Sequence, residues 1–356
     1  MKNDVVKAKE ALDKLIKKAR VHLYKPIQIA EILYRDRVYQ DIVIEQLETY
    51  RNPSKKWRDV ICRQFLGRTS TSSARYQDDL FNENAIPLDI LSLLAQENRR
   101  TQGAIEAYIY QCVNNKFSQL SSALTYCDIH NHTDFQLTEF LDLFWNDAGL
   151  RRSIDKVYEI IVYALFAALV ESLELMVEVS INPEQHHILV EFADFTERVI
   201  KLTPETTSFK TRAKIYRVGV TNAADRGLDM WANFGLAIQI KHLSLDEGLA
   251  ENIVHSITAD RIVIVCKEAE QKIIISLLTQ IGWKSRIQSI ITEKDLTIWY
   301  EKALRGQYHT LTAEKVLNTI KSEIQIEFPI TENLGLQQFF TERAYHGLDI
   351  SCYIQQ

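Results

Sequence analysis

Residues 224–241 read ADRGLDMWANFGLAIQIK, and the alternation of apolar and polar side chains here decides how the rest of the chain is read. Residues 228–234 and 236–243 each carry the period of two that a strand requires, and Asn233, Phe234 and Gly235 between them are turn residues. An antiparallel hairpin of this length sets Asp229 beside Gln239. Gln239 and Lys241 share one face of the second strand, while Ile238 and Ile240 point into a core. One carboxylate, one amide oxygen and one ammonium then converge at a sheet edge. Hard cations such as Mg²⁺ take oxygen ligands of this kind, and the Ile240 main-chain carbonyl can add another. Lys241 is placed to orient or help deprotonate an attacking water and to offset charge building on a phosphate. A surface hairpin with a merely solvated lysine satisfies the same spacing, because a bare Asp-x9-Gln-x-Lys fits many hairpins.

Working outward, strands are expected at 213–220, 261–266 and 286–291, with a helix at 268–281 between the last two. In front of the hairpin, helical spacing predicts helices at 4–20, 27–50, 88–98, 102–113 and 136–145. The apolar 153–174 stretch predicts a central packing helix or a dimer interface. Val177, Val179 and Ile181 alternate like a short strand, and Ile188, Phe192, Phe195 and Val199 give 184–202 the spacing of a helix. The expectation is a mixed α/β chain in three parts. Residues 1–152 form a helical, basic region, 153–304 an α/β core, and 305–356 a C-terminal extension packed on that core.

Composition narrows the function classes. The 356 residues carry a net charge of −5, but residues 1–76 hold 17 Lys/Arg against 9 Asp/Glu. Within 51–76 there are 7 basic residues and a single acid, Asp59. A local basic patch matters more to a polyanion than the whole-chain charge. Arg63, Arg68, Thr69, Ser70, Thr71, Ser72, Ser73 and Arg75 make a hydroxyl-rich, basic loop suited to DNA phosphates and base edges. A solvated polar loop without a partner is the competing reading. The longest apolar run, Ile160–Val170, is too short for a bilayer, and the N-terminus lacks the apolar core of a secretory signal. Five widely spread cysteines without a CxxC fit a reducing cytoplasm better than a disulfide or zinc framework.

With the strand–helix–strand order that follows it, the Asp229…Gln239-x-Lys241 pattern resembles the PD-(D/E)XK nuclease superfamily. Gln239 stands where that superfamily usually has a second acid, as in the similar Mrr-type restriction nucleases. Residues 19–35 (ARVHLYKPIQIAEILYR) and 221–242 (TNAADRGLDMWANFGLAIQIKH) resemble the HaeII family of type II restriction endonucleases. The resemblance implies a Mg²⁺-dependent enzyme cutting double-stranded DNA at a short GC-rich palindrome. It implies a homodimer as well, since a two-fold site is most simply read by a two-fold protein. Asp229 and Gln239 would hold the metal and Lys241 would activate the water. A cognate methyltransferase is expected in the host, though not as a stable subunit. Residue reading alone stops at a metal-dependent phosphodiesterase, so a structure-specific nuclease and a catalytically dead DNA-binding protein stay open.

An amide oxygen binds Mg²⁺ more weakly than a carboxylate, so a further acid is sought. Glu191 and Glu197 on the 184–202 helix are candidates, as is Asp225, and each has a bland reading as a surface or turn residue. Residues 126–133 (YCDIHNHT) resemble the Asp-x-His-x-His opening of PHP metallohydrolases. The strand-end ligands which that fold needs do not recur, so a polar loop or helix cap is expected there. Trp57, Trp145, Trp231, Trp283 and Trp299 are read as core or interface residues.

Overall fold

The period-two and period-3.6 stretches segregate in space as they do in sequence. A computed structural model describes residues 2–19, 23–66, 69, 80–146, 153–218, 228–241, 257, 259–268, 287–328 and 334–354. The helices are α1 (Lys2–Lys18), α2 (Tyr24–Tyr34), α3 (Leu47–Tyr50), α4 (Pro53–Leu66), α5 (Leu88–Arg100), α6 (Ala104–Ile129), α7 (Leu137–Trp145) and α8 (Ile154–Ser172). Later come α9 (His186–Glu191), α10 (Ala193–Phe195), α11 (Glu293–Arg305), α12 (His309–Glu327), α13 (Leu334–Glu342) and α14 (Ser351–Ile354). The strands are β1 (Met176–Ser180), β2 (Ser208–Arg212), β3 (Ile215–Arg217), β4 (Met230–Ala232), β5 (Leu236–Lys241), β6 (Arg261–Cys266) and β7 (Ile287–Thr292).

The chain divides into two compact units, one of residues 1–157, 220–223 and 321–356, the other of 158–219 and 224–320. The first is helical among its described residues. Its apolar core runs from Ala8, Leu12 and Ile27 through Leu91 and Ile105 to Leu336, Phe339 and Tyr345. Residues 321–356 therefore join the front unit, whereas the sequence places all of 305–356 on the α/β core. The cause is long-range packing. Arg343 forms a two-pronged pair with Glu31 (2.6 and 3.0 Å), and Phe339 packs against Phe65 and Tyr110 with ring centroids 5.0 and 4.7 Å apart. These partners lie about 230 residues or more upstream, beyond the reach of any local pattern.

The second unit holds a five-stranded sheet in sequence order, β3-β4-β5-β6-β7, antiparallel up to β5 and parallel from there on. It also holds a separate antiparallel ribbon, β1-β2. Gly235 takes φ +85° at the β4–β5 turn, a conformation that costs an L-residue with a Cβ about 1–2 kcal/mol. The Asn233 side chain accepts from Lys214 N–H and donates to the Arg212 carbonyl, both at 2.9 Å, which ties that turn to the strand before it.

Helix α8 covers one face of the sheet. Tyr158 Oη donates to the Cys266 carbonyl (3.3 Å), and Tyr300 of α11 donates to the Ile161 carbonyl (2.7 Å). Met230, Ile238, Ile240, Val263 and Val265 on that face are at most 5% exposed, each fully buried aliphatic contributing about 1.5–3 kcal/mol. Ile160, Ile161, Val162, Ala164 and Leu165 are fully buried, so α8 is core packing rather than an interface.

Two expected helices are shorter than predicted. The 27–50 helix stops at Tyr34, loosens into a π-turn at Arg35–Tyr39 and ends on Gln40 at φ 52°. The 184–202 helix breaks into α9, α10 and a π-turn at Thr196–Ile200, and Ile188, Phe192, Phe195 and Val199 are exposed. The 268–281 helix lies outside the described residues.

Candidate active site

Met230 pairs with Ile238 across the hairpin, so one further step of the same register sets Asp229 opposite Gln239. The ladder continues there, with Asp229 N–H donating to the Ile238 carbonyl at 3.3 Å. Gln239 Nε2 donates to Asp229 Oδ2 at 2.6 Å, and the Ile240 main-chain N–H donates to the same oxygen at 2.7 Å. On the other side Val218 N–H donates to the Asp229 carbonyl at 2.9 Å. The carboxylate is thus aimed by two donors and its own backbone is locked between two strands. Half-buried Lys241 follows Gln239 two residues along the same strand face.

Gln239 is 2% exposed, and its Oε1 has no hydrogen-bond partner among the described residues. An acceptor left buried in this state costs about 1–3 kcal/mol. A half-turn of the amide would bring Oε1 to the Asp229 side in place of Nε2. The Ile240 carbonyl points to that side too, since the N–H and C=O of one strand residue face the same neighbour. Carboxylate, amide oxygen and main-chain carbonyl are all hard donors and fit a divalent cation of the Mg²⁺ class. No three His, Cys, Asp or Glu side chains gather into a metal cluster among the described residues, so such an ion would rest on this mixed set.

Beneath the hairpin, on the α8 side, lies a pair that the sequence pattern does not reveal. Arg217 pairs with Met230 in register, so its side chain leaves the sheet opposite Asp229 and comes within 4.0 Å of Glu159 on α8. Both side chains are about 6–7% exposed. The only signal in sequence is an acid set immediately before the most apolar run of the chain. On the Asp229 face, Trp231 stacks on Tyr216 with ring centroids 4.5 Å apart and is 43% exposed, so of the two readings, core or interface, it is not core.

The remaining predicted residues scatter. Glu191 and Glu197 are exposed on the segment between β1 and β2, which joins the ribbon rather than the five-stranded sheet. Arg63 is exposed near the end of α4, and Thr69 is half-exposed. Arg68, Ser70, Thr71, Ser72, Ser73, Arg75 and Asp225 lie outside the described residues. Arg58 drops out of the basic patch, because it is 4% exposed and bound to Asp59 and Gln28. The PHP-like stretch is a helix end: His130 Nδ1 sits 3.0 Å from the Tyr126 carbonyl and its ring stacks on Tyr126.

Among the described residues, Cys62, Cys112, Cys127 and Cys266 form no disulfide. Burial pushes Cys62 and Cys127 up to about 12 and Cys266 to about 11, which leaves these three poor nucleophiles. No described helix is long and apolar enough to cross a membrane.

No solved structure matches the chain. It is 61% identical over 349 residues to the type II restriction enzyme HaeII of Haemophilus aegyptius, an alignment spanning 98% of this chain and 99% of the relative. It is 60% identical over 339 residues to the type II restriction enzyme NgoBI of Neisseria gonorrhoeae, with 95% and 96% coverage. The profile of HaeII restriction endonucleases matches residues 8–345. The chain belongs to the HaeII restriction endonuclease family.

Proposed function

We propose that this chain, a type II restriction endonuclease by family, hydrolyses both strands of DNA at a short GC-rich palindrome in a Mg²⁺-dependent reaction on a PD-(D/E)XK-like core. The observation that carries the site is the Asp229–Gln239 contact at 2.6 Å beside an amide oxygen that lacks a partner among the described residues. Asp229, Gln239 Oε1 and the Ile240 carbonyl would hold the ion, which when bound supplies Lewis-acid polarisation of the phosphate and lowers the pKa of water. Lys241 would hold the attacking water in line with the scissile P–O bond and offset the charge growing on the phosphoryl oxygens. The 3′ oxygen leaves, giving 5′-phosphate and 3′-hydroxyl ends. Ile240 N–H keeps Asp229 aimed throughout, and Glu159–Arg217 braces the opposite face of the strand pair.

On the substrate side, exposed Arg63 and the segment Arg68, Thr69, Ser70, Thr71, Ser72, Ser73 and Arg75 would contact DNA, arginines on phosphates or guanine edges and hydroxyls on phosphates. The palindrome calls for a homodimer working in the cytoplasm, beside a separate host methyltransferase acting on the same site. Incubating plasmid DNA with the full chain, with and without Mg²⁺, and sequencing the fragment ends tests the reading. Discrete ends at one short palindrome, absent without a divalent ion, are expected. Random or branch-restricted ends, or cutting unaffected by a chelator, would overturn it.

A further inference from the structure

Among the described residues, the strands of the five-stranded sheet expose two large hydrophobic side chains, and both stand beside the candidate site. Tyr216 on β3 pairs in register with Trp231 on β4, and their rings stack with centroids 4.5 Å apart and planes at 20°. They are 38% and 43% exposed, and Trp231 is the most exposed tryptophan among the described residues. A cross-strand aromatic pair steadies a sheet on its own account. That explains why the rings meet, and not why they meet half in solvent next to Asp229.

Register places the pair. Val218 N–H donates to the Asp229 carbonyl, and Asn233 N–H donates to the Lys214 carbonyl. One face of the sheet therefore carries Asp229 level with Val218, then Trp231 with Tyr216, then Asn233 with exposed Lys214. Each level lies about 7 Å from the next. The indole is one level from the carboxylate that Gln239 and the Ile240 N–H aim, and Lys214 is one level beyond the indole. A phosphate held at Asp229 carries a deoxyribose on each side, so a DNA strand leaving along this row meets the aromatic pair before it meets Lys214. In an intact duplex the bases are stacked on one another, and the apolar surface beside a phosphate is the sugar. Flat, rigid rings suit that surface, and Trp and Tyr are the side chains that most often anchor an interface. A lysine suits the phosphate that follows. Exposed Asp260 precedes β6 at the Asn233 end, two strands away, so it is the neighbouring site rather than charge alone that selects the ligand.

We propose that the Tyr216–Trp231 stack is a substrate contact, packing on the deoxyribose next to the scissile phosphate and holding that strand against Asp229. This contact presupposes the cleavage site proposed above and adds what grips the flanking nucleotide. Single-turnover cleavage of a duplex carrying its own cleavage site, followed against the concentration of full-length protein in Mg²⁺, tests it. Trp231→Ala is expected to raise the half-saturating protein concentration at least about tenfold, while Trp231→Phe, which keeps a flat ring, stays within about threefold of wild type. Half-saturation unchanged in Trp231→Ala, or raised equally by both variants, would overturn the contact. If Trp231→Ala loses its helical circular dichroism, acrylamide quenching of wild type and Trp231→Phe decides. The wild type should show a quenchable emission component that Trp231→Phe lacks and that the duplex shields. A component quenched equally with and without duplex would overturn the contact. Shielding that grows with protein concentration in the absence of DNA would overturn it too, because a second copy would then cover the rings. Asp229→Ala keeps the two readings apart: normal cutting by it would sink the metal site, and duplex shielding of Trp231 in it would still support the contact.

Discussion

In the helical unit, Glu106 is fully buried and closed. Arg37 donates to both of its oxygens at 2.9 and 2.8 Å, Asn98 to one at 2.6 Å and Tyr345 to the other at 2.7 Å. In the sheet unit, Gln239 is as deeply buried, yet it gives its N–H to Asp229 and leaves its oxygen empty-handed among the described residues. Burial is common to both clusters, and only saturation separates them. A closed network holds parts of a fold together, because every polar atom has repaid its desolvation. An open one retains an unmet demand, which a cation or substrate can meet. The same comparison sorts the cysteines, whose buried, raised thiols are packing rather than chemistry.

The largest effect on cleavage should fall on the open cluster. Asp229→Ala is expected to lower cleavage about a thousandfold or more while gel retardation of DNA persists, at a stability cost of only about 1–3 kcal/mol from the two donors left without their acceptor. Lys241→Ala should behave alike. Comparable cutting by either variant would break the contrast.

Next comes the closed cluster. Glu106→Ala leaves half-buried Arg37, Asn98 and Tyr345 without their shared acceptor and should cost about 3 kcal/mol in a denaturant titration. Cleavage by the folded fraction should remain normal, and a loss below about 1 kcal/mol would mean the network is ornamental.

Gln239→Glu sharpens the distinction, because it sets a second carboxylate against Asp229. Like charges raise one of the two pKa values above the unfolded carboxylate range near about 4.3. The folded state then holds a proton that the unfolded state has lost, so stability falls as pH rises past that range. The fall is about 1.4 kcal/mol for every tenfold weakening of that carboxyl as an acid. Mg²⁺ should restore it. Melting curves on the acidic and the alkaline side of neutrality, with and without the ion, read this out, and pH-independent melting would remove Gln239 from the site.

Gly235→Ala carries the smallest effect, about 1–2 kcal/mol of positive-φ strain at the turn. An added Cβ meets nothing closer than the Arg261 side chain at 3.7 Å, so the cost is conformational alone. A loss well above that would mean the turn does more than reverse the chain.

The β4–β5 hairpin is legible because its information is local: alternation, a Gly where φ is positive, and fixed spacing bring Asp229 to Gln239. The five-stranded sheet is legible for the same reason, from the apolar runs of β5 and β6. What local pattern does not carry is partnership. Arg343 finds Glu31 across 312 positions. Arg58 looks like a DNA-facing cation until Gln28 is seen to bind it. Strand β2 is almost wholly exposed and polar, so it offers no alternation to read. Ile188, Phe192, Phe195 and Val199 are legible as helically spaced, but their spacing does not say that they stay exposed.

The direct measurement is Mn²⁺ uptake, read by electron paramagnetic resonance, on the full-length protein bound to a duplex carrying its own cleavage site. Oxygens of Asp229 and Gln239 gripping a divalent ion predict a bound Mn²⁺ that Mg²⁺ displaces in the wild type and that Asp229→Ala fails to retain. Equal uptake by wild type and Asp229→Ala would contradict it.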